Sequence, residues 1–406
     1  MDTRKFVIVG AGQCGAWIAR TLRQGGADGP VTLVGAERHS PYERPPLSKE
    51  ALHGPLAVGH GELLTSAEAS ELGLALRLET AVTRIDRARR QIDHGGGAAI
   101  DYDVLFLAMG SRPRGLPGAT PGPKVAYLRT REDADQIRGA LATCKRLIVI
   151  GGGWIGLEVA AAAATQGVVV TVLEQALTLC ARLLPERAAL ELQKLHEAHG
   201  VTVRLGVAIV AIDVADQAVR VELADGSTEA GDFLVVGVGG VANDELARAC
   251  GLRTDGGIVV DRYGRTSDPS IFAAGDVARI QDEALGLLPR FESWANAQDQ
   301  GIATAKAALG GTQPYDAVPW FWSQQYDSVL QMAGLYAKDQ AIHHRSGAGK
   351  AGWLQVGVRE GGVNFVCAMR APREFRVARS WIGTSAQLNI PVFEDPSTEL
   401  AAALLH

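Results

Sequence analysis

The stretch that determines the fold is residues 147–174, LIVIGGGWIGLEVAAAAATQGVVVTVLE. Its first four residues, Leu147–Ile150, form the short apolar run that is typical of a buried parallel strand. The Ala-rich segment 155–166 predicts a helix, and segment 168–173 predicts a second strand. A strand, a glycine-rich turn, a helix and a second strand make a βαβ unit, so the sequence predicts an α/β fold.

Three glycines join the first strand to the helix, at positions Gly151, Gly153 and Gly156. In this spacing the first glycine permits a tight turn, the second lets the backbone approach a pyrophosphate, and the third lets helix and strand pack closely. The helix, which begins near Ile155, offers free N–H groups and a positive dipole end to phosphates. Glu174 ends the second strand where a carboxylate accepts ribose hydroxyls, so we expect a bound dinucleotide here.

The same pattern occurs a second time near the N-terminus. Residues 6–26 read FVIVGAGQCGAWIARTLRQGG and contain glycines at the same spacing, Gly10, Gly12 and Gly15. The next predicted strand ends on a second acidic residue, Glu37. Two such units in one chain predict two Rossmann-like domains and two bound dinucleotides.

The composition is that of an ordinary globular protein. Apolar residues make up 47% of the chain and charged residues 21%, and the formal net charge is −5. This charge gives no general footprint for nucleic acid, so any basic docking site must be a local patch. The first strand begins almost at once, and no apolar run approaches 18 residues, so we expect a cytoplasmic protein without a membrane span.

The cysteines argue against thiol chemistry and against a metal site. The five positions are scattered: Cys14, Cys144, Cys180, Cys250 and Cys367. They form no C-x-x-C or C-x4-C pair and no Cys/His spacing that suits a metal, so reduction of disulfides through a cysteine pair is excluded. Cys14 lies inside the first glycine-rich turn, where a small side chain is needed, and packing is favoured there over a redox role.

The order of segments predicts three domains, one of them discontinuous. Residues 1–112 and 241–319 are expected to form the FAD-binding domain, and the insert 113–240 is expected to bind NAD. From residue 320 onward the sequence alternates apolar and polar residues, as antiparallel strands do, and we expect a C-terminal α+β domain over 320–406.

Several polar residues outside the glycine turns are candidates for cofactor contacts. The loop after Glu37 carries Arg44 and Lys49, either as cations placed at a cofactor or as part of a solvated basic loop. A short strand ends at Gly275 and Asp276, which together suit a close approach to a ligand. The helix that follows begins near Trp294, and its dipole is expected to point at whatever Asp276 faces.

Seven motifs identify a family. In chain order they are GAGQCG, PYERPPLSKE, GGGWIGLEVA, GVGGVAND, IFAAGDVA, RFESWANAQ and PWFWSQQY. Together they span nearly the whole chain, which resembles the flavin-dependent ferredoxin reductases of bacterial oxygenase systems. The resemblance implies a glutathione-reductase type of fold, with an FAD domain, an inserted NAD domain and a C-terminal interface domain.

The resemblance also implies roles for individual residues. FAD is expected at Gly10, Gly12, Cys14, Gly15, Glu37, Arg44, Lys49, Val82, Arg129, Gly275, Asp276 and Trp294, with Trp322 on the flavin side opposite NADH. NADH is expected at Gly151, Gly153, Ile155, Gly156, Glu158, Glu174 and Gly239. Of these, Glu158 matches the glutamate beside the nicotinamide and Lys49 the lysine near the flavin, so these two are the candidate catalytic residues.

The implied reaction is hydride transfer from NADH to FAD, followed by single-electron transfer to a [2Fe–2S] ferredoxin that serves a terminal oxygenase. Glu174 favours NADH because a carboxylate repels the 2′-phosphate of NADPH, and Gln175 rather than Arg follows it; the nearest basic residue downstream is Arg182. One departure from the family is Gln324, which replaces the aspartate of the usual FWSDQ motif. This change affects local partner docking or stability and leaves the hydride path untouched.

The partner site and the alternatives stay open at this point. Arg373, Arg376 and Arg379 follow one another every third residue on a predicted helix, either as a docking patch for an acidic ferredoxin or as a solvated helix face. An NADH oxidase or peroxidase would need a reactive cysteine near the flavin. A rubredoxin reductase would use the same chemistry, and a redox-sensing flavoprotein like apoptosis-inducing factor would instead signal through conformation.

Overall fold

The computed structural model describes residues 2–57, 59–216, 218–348, 352–384 and 387–405. The chain divides into two compact units. Unit 1 comprises residues 1–45, 57–112 and 240–317, and unit 2 comprises residues 46–56, 113–239 and 318–406. Each unit contains one of the two predicted βαβ folds, so the α/β class is confirmed in both.

Unit 1 is built on a five-stranded parallel sheet. Its strands lie in the order Ile271–Ala273, Val104–Leu107, Phe6–Val9, Val31–Val34 and Leu74–Arg77. The central strand is buried on both faces, with Phe6 and Ile8 in one apolar cluster and Val7 and Val9 in the other. Such double burial is why this strand reads as an unbroken apolar run.

The other elements of unit 1 surround that sheet. Its helices are Gln13–Gln24, Ser66–Glu71, Glu245–Ala249 and Trp294–Ala308, with a 3₁₀ turn at Gly275–Val277. Smaller sheets contain Arg84–Asp86, Gln91–Asp93 and Ile100–Asp101, and Ile258–Val260, Ala278–Asp282 and Gly286–Leu287. Two short strands, Ser111–Pro113 and Gly240–Ala242, lie at the segment ends.

Unit 2 contains a second five-stranded parallel sheet. Its order is Thr202–Arg204, Val169–Leu173, Arg146–Ile150, Phe233–Val236 and Val125–Tyr127. The helices are Glu50–His53, Arg131–Leu141, Trp154–Thr165 and Glu186–Ala198, and a 3₁₀ turn covers Pro45–Ser48. Three antiparallel strands accompany them, Ile209–Val214, Val219–Leu223 and Thr228–Gly231.

The C-terminal part of unit 2 is antiparallel, as the alternating sequence predicted. The sheet order is Trp320–Gln325, Ser328–Gly334, Gly362–Met369, Gly352–Arg359 and Ala341–Ala348, extended by Gln387–Leu388 and Leu404–Leu405. The helices Pro372–Arg379 and Ile390–Glu394 and the 3₁₀ turn Leu400–Ala403 complete it. The ring of Trp154, at the start of the second dinucleotide helix, lies 5.1 Å from that of Phe321 in the first strand.

Candidate functional site

In the first glycine-rich turn, the outer two glycines are closely packed and the middle one has free space beside it. Gly10 has φ +113°, and a Cβ added there would lie 2.3 Å from the carbonyl oxygen of Ala108. A Cβ added to Gly15 would lie 1.9 Å from the oxygen of Gly10, so this glycine lets the helix pack closely. Gly12, at the start of the helix Gln13–Gln24, would meet nothing within 4 Å. The three positions therefore have the geometry that a pyrophosphate at a helix N-terminus requires.

Glu37 and Arg44 form one cluster in unit 1. Arg44 donates to Glu37 Oε1 at 2.6 Å, and the Tyr42 hydroxyl donates to Glu37 Oε2 at 2.6 Å. Burial alone would lower the pKa of Arg44, but Tyr42 and Glu37 outweigh it and raise that pKa. Arg44 is therefore held beside Glu37, the predicted ribose carboxylate.

Gly275 and Asp276 lie next to the first turn. Gly275 has φ +77°, and a Cβ there would lie 3.0 Å from Cβ of Cys14. The Ser111 hydroxyl donates to Asp276 Oδ2 at 3.3 Å. This close packing brings Gly275, and with it the end of the strand Ile271–Ala273, against the first dinucleotide turn within unit 1.

Trp294 connects the start of its helix to the first turn. The helix Trp294–Ala308 begins after Ser293, whose hydroxyl accepts from the Asn296 N–H at 3.2 Å. The side-chain amide of Gln13 donates to the Trp294 carbonyl at 2.7 Å, and the Trp294 indole donates to Glu43 Oε1 at 3.1 Å. The sequence analysis did not identify Gln13 and Glu43 as site residues, although both lie inside the quoted motifs.

The cysteines are free thiols. Three of them are buried, Cys14, Cys180 and Cys367. Burial raises the pKa of each, and Asp276 raises that of Cys14 further. Because the thiolate is the reactive form, burial disfavours reaction at these thiols. Cys14 is therefore a packing residue, as its place in the turn indicated.

The second glycine-rich turn, in unit 2, repeats the first. Gly151 has φ +108°, and an added Cβ would lie 2.4 Å from the oxygen of Gly237. A Cβ at Gly156 would lie 2.2 Å from the oxygen of Gly151, whereas one at Gly153 would approach nothing nearer than 3.8 Å. Gly153 caps the helix Trp154–Thr165. The second turn therefore also offers an open N-terminus to a pyrophosphate.

Glu174 is fixed by the turn that it faces. Its Oε2 accepts from the Gly152 N–H at 2.6 Å, and its Oε1 accepts from the Ala176 N–H at 2.7 Å. Gln175 is exposed, and so is Arg182. The carboxylate thus ends the strand Val169–Leu173 in the predicted position, and its backbone partners were not predicted.

Glu158 lies at the centre of a buried polar cluster in unit 2. Lys49 Nζ lies 2.8 Å from Glu158 Oε2, and the Ser48 hydroxyl donates to the same oxygen. The Ser323 hydroxyl donates to Oε1 at 2.6 Å. The glutamate side chain is 2% exposed, so a helix-surface position is excluded. Sequence reasoning found the acid and the lysine, but it missed Ser48 and Ser323.

The other predicted residues make contacts of their own. Val82 packs against an apolar cluster of unit 1, and the Arg129 N–H donates to Asp133 Oδ2 at 2.8 Å. Trp322 stacks on Trp320 with ring centroids 5.4 Å apart. Ile155 is 43% exposed.

Gly239 follows the strand Phe233–Val236 with φ +99°, a value that favours glycine. A Cβ there would lie 3.6 Å from the guanidinium of Arg182.

The described ranges contain neither a candidate metal site nor a candidate membrane span. Among those residues, no group of three or more His, Cys, Asp or Glu side chains could hold a metal ion. In the same part of the chain, no helix combines the length and the apolar character that a membrane crossing needs.

Comparisons with known proteins agree with this arrangement. Residues 4–301 match the pyridine nucleotide-disulphide oxidoreductase family, and residues 320–404 match the reductase C-terminal family. The chain is 38% identical over 402 residues to the ferredoxin–NAD(+) reductase component of the p-cumate 2,3-dioxygenase system of Pseudomonas putida, with 98% of each covered. It is 40% identical over 407 residues to rhodocoxin reductase of Rhodococcus erythropolis, with 98% of this chain and 94% of the relative covered.

Among solved structures, the chain is similar to putidaredoxin reductase in its covalent complex with putidaredoxin. The TM-score is 0.93, the identity is 35%, and 99% of each chain is covered. With both glycine-rich turns shaped for a dinucleotide, the chain belongs to the pyridine nucleotide-disulphide oxidoreductase family, and within it to the FAD- and NADH-dependent ferredoxin–NAD(+) reductases.

Proposed function

We propose that this chain transfers hydride from NADH to FAD and passes single electrons to a [2Fe–2S] ferredoxin that supplies an oxygenase. The observation that carries the proposal is the buried Lys49–Glu158 pair, which the dinucleotide-binding unit holds with two serine hydroxyls. Bound FAD supplies the conversion between two-electron and one-electron chemistry. The residues of this chain bind and orient the two dinucleotides and hold charge beside them.

We assign the binding residues as follows. FAD is proposed to contact Gly10, Gly12, Cys14, Gly15, Glu37, Arg44, Lys49, Val82, Arg129, Gly275, Asp276, Trp294 and Trp322. NADH is proposed to contact Gly151, Gly153, Ile155, Gly156, Glu158, Glu174 and Gly239. The open faces of Gly12 and Gly153 support both assignments, because a phosphate needs space where a side chain would stand.

The state of the cysteines supports electron transfer over thiol chemistry. An NADH oxidase or peroxidase with a reactive cysteine needs a thiolate near the flavin, and such a thiol has a lowered pKa. Here burial raises the pKa of Cys14, the cysteine inside the first turn. The same shift occurs at Cys144 and Cys250.

We propose the domain limits predicted from the sequence: 1–112 with 241–319 for FAD, 113–240 for NAD and 320–406 at the C-terminus. The ferredoxin is proposed to dock at Arg373, Arg376 and Arg379, of which the first two are exposed, while the guanidinium of Arg379 lies 4.9 Å from the Trp320 ring. We place the protein in the cytoplasm, where NADH is available and where free thiols like its five cysteines persist.

The test is a coupled assay with the purified yellow protein, NADH, a [2Fe–2S] ferredoxin and cytochrome c. Reduction of cytochrome c that depends on the ferredoxin is the expected result. Rapid bleaching of the flavin by NADH without transfer to a ferredoxin would favour a redox-sensing flavoprotein. Transfer to rubredoxin alone would change the partner and leave the hydride chemistry intact.

A further inference from the structure

A chain of buried polar side chains continues from Glu158 through unit 2. Beyond Ser323, the Gln325 side-chain nitrogen lies 2.9 Å from the serine oxygen, and the Gln325 oxygen lies 2.6 Å from His196 Nε2. The Tyr326 hydroxyl lies 3.0 Å from His196 Nδ1. From Glu158 to His196 each member is at most 3% exposed, whereas Tyr326 is half-buried.

Local structure explains why these side chains meet. On the strand Trp320–Gln325, Ser323 and Gln325 point inward, and Gln324 between them is exposed, as the two-residue period of a strand requires. His196 lies near the end of the helix Glu186–Ala198 and is fully buried. The Tyr326 ring stacks on the exposed ring of His199 at 3.7 Å, so the chain ends at the protein surface.

The hydrogen bonds of this network run in one direction, which is set at Glu158, where the carboxylate accepts from Lys49 and Ser323. A carboxylate only accepts hydrogen bonds, so Ser323 must donate its single hydroxyl hydrogen to Glu158. The serine oxygen then needs a donor, which places the Gln325 nitrogen toward it and the Gln325 oxygen toward His196. That oxygen requires a hydrogen on His196 Nε2, and the bare Nδ1 accepts from Tyr326.

All four donors therefore point toward Glu158. Hydrogen bonds aligned in this way polarise one another, and the effect is strongest in a buried environment. The chain is unsuited to conducting protons, because the amide of Gln325 donates and accepts through different atoms and does not exchange its hydrogens as a hydroxyl does. Its physical effect is to hold the Glu158 carboxylate in one orientation.

We propose that Ser323, Gln325 and His196 are positioning residues that fix the Glu158 carboxylate for the NADH reaction. No bond is made or broken along the chain. The proposal deepens the proposed function and rests on it for the role of Glu158, whereas the hydrogen-bond direction rests on geometry alone. The proposal also assigns a positioning role to the buried His196, which the hydride chemistry does not use.

The first test reads the tautomer of His196 in the oxidised FAD-loaded protein, without NADH. With 15N-labelled histidine, the ring nitrogens report which one carries the hydrogen, and His196→Gln identifies the signal by its loss. The wild type is expected to show the Nε2–H form alone. Ser323→Ala frees Gln325 to turn over, so the Nδ1–H form should appear, while Ser323→Thr should keep the wild-type spectrum.

The matched control is Ser328→Ala, which removes a buried serine of the neighbouring strand that contacts Asp327 and Arg370 instead. It should leave the His196 signals unchanged. A mixture of tautomers in the wild type, or a Ser323→Ala spectrum identical to that of the wild type, would overturn the proposal. The measurement needs no turnover, so it tests the direction of these hydrogen bonds even if NADH fails to reduce the flavin.

The second test links the chain to the reaction through a double-mutant cycle. His196→Phe is expected to slow flavin reduction by NADH about threefold, as the loss of one hydrogen bond far from the carboxylate suggests. His196→Gln keeps a donor for Gln325 and should recover the rate. In a Glu158→Gln background, His196→Phe should have no further effect; an equal slowing in both backgrounds would contradict a role through Glu158.

Discussion

Nζ of Lys49 lies 2.8 Å from Oε2 of Glu158, and the glutamate side chain is only 2% exposed. Burying such an ion pair costs desolvation energy that an apolar pair of the same size avoids. Serine hydroxyls from Ser48 and Ser323 reduce this cost by supplying further donors to the carboxylate. The arrangement is therefore poorly explained by stability alone, which is in keeping with the catalytic role that we propose for Lys49 and Glu158.

Removal of the Lys49 ammonium should make the desolvation cost of the buried Glu158 carboxylate measurable. We expect Lys49→Met to lower the free energy of unfolding by about 2–3 kcal/mol, because it leaves a buried carboxylate that retains its serine donors. Urea denaturation measures the change, and Lys145→Met, at an exposed lysine, is the control. The double variant Lys49→Met/Glu158→Leu should regain stability. A Lys49→Met protein as stable as the wild type would contradict this account.

Two glycines of one turn should respond differently to the same substitution. Gly153→Ala adds a methyl group that approaches nothing nearer than 3.8 Å, so the fold should persist while NADH binding weakens at least tenfold. Gly156→Ala places the methyl group 2.2 Å from a backbone oxygen and should lower the melting temperature by several degrees. Thermal unfolding and NADH titration of both variants check the contrast. Equal stability of both variants would refute it.

The sequence predicted both dinucleotide folds because their local chemistry is self-contained. Each glycine has a steric reason at its own position: a Cβ at Gly12 would meet nothing within 4 Å, and one at Gly153 would approach nothing nearer than 3.8 Å. The helix Arg131–Leu141 begins in a similarly local way, with a capping box between Thr130 and Asp133. Local patterns of this kind predict the structure correctly because the packing of the folded protein agrees with the local preference.

The polar network around Glu158 was not predictable in the same way. Ser323 lies 165 residues from Glu158 in sequence, and a serine in a strand carries no signal of its partner. His196 and Gln325 are joined across 129 residues. Such contacts depend on how the C-terminal sheet packs in unit 2, which a single sequence does not specify.

Nucleotide preference should follow the charge of Glu174. The carboxylate is held by the N–H groups of Gly152 and Ala176, so Glu174→Gln keeps one acceptor and removes the charge. We expect the preference for NADH over NADPH, measured as the ratio of kcat/KM values, to fall about tenfold. The exposed neighbour Gln175 offers the matched control, because Gln175→Glu should strengthen the preference. An unchanged ratio in Glu174→Gln would rule out this residue as the discriminator.

Docking of the ferredoxin should depend on the helix Pro372–Arg379. Arg376 is exposed, so Arg376→Glu should raise the apparent KM for ferredoxin about three- to tenfold at low salt, with a smaller effect at high salt. Flavin reduction by NADH should be unchanged. Arg220→Glu makes the same charge change at an exposed position of the strand Val219–Leu223 and serves as the control. Equal KM values at low salt for both variants would remove this helix from the docking surface.

The free energy of unfolding should decrease as the pH is lowered, because of His196. Burial lowers the pKa of His196 to about 4, although the hydrogen bond that His196 makes to the Gln325 oxygen acts in the opposite direction and raises it. The unfolded chain has a histidine pKa near 6.5, so it binds the proton more readily between these values. The contribution is complete above about pH 6.5 and is lost as the pH falls toward 4, by roughly 3 kcal/mol in total. Urea unfolding between pH 4 and pH 7 should show this slope, and His196→Gln should flatten it.

The most direct test of the account is a double-mixing experiment that follows the flavin absorbance. The protein is first mixed with NADH and then, after the flavin has bleached, with an oxidised [2Fe–2S] ferredoxin. We predict that the flavin colour returns at a rate that rises with ferredoxin concentration and keeps pace with steady-state turnover. A flavin that stays reduced for minutes in the presence of ferredoxin would contradict the reductase function.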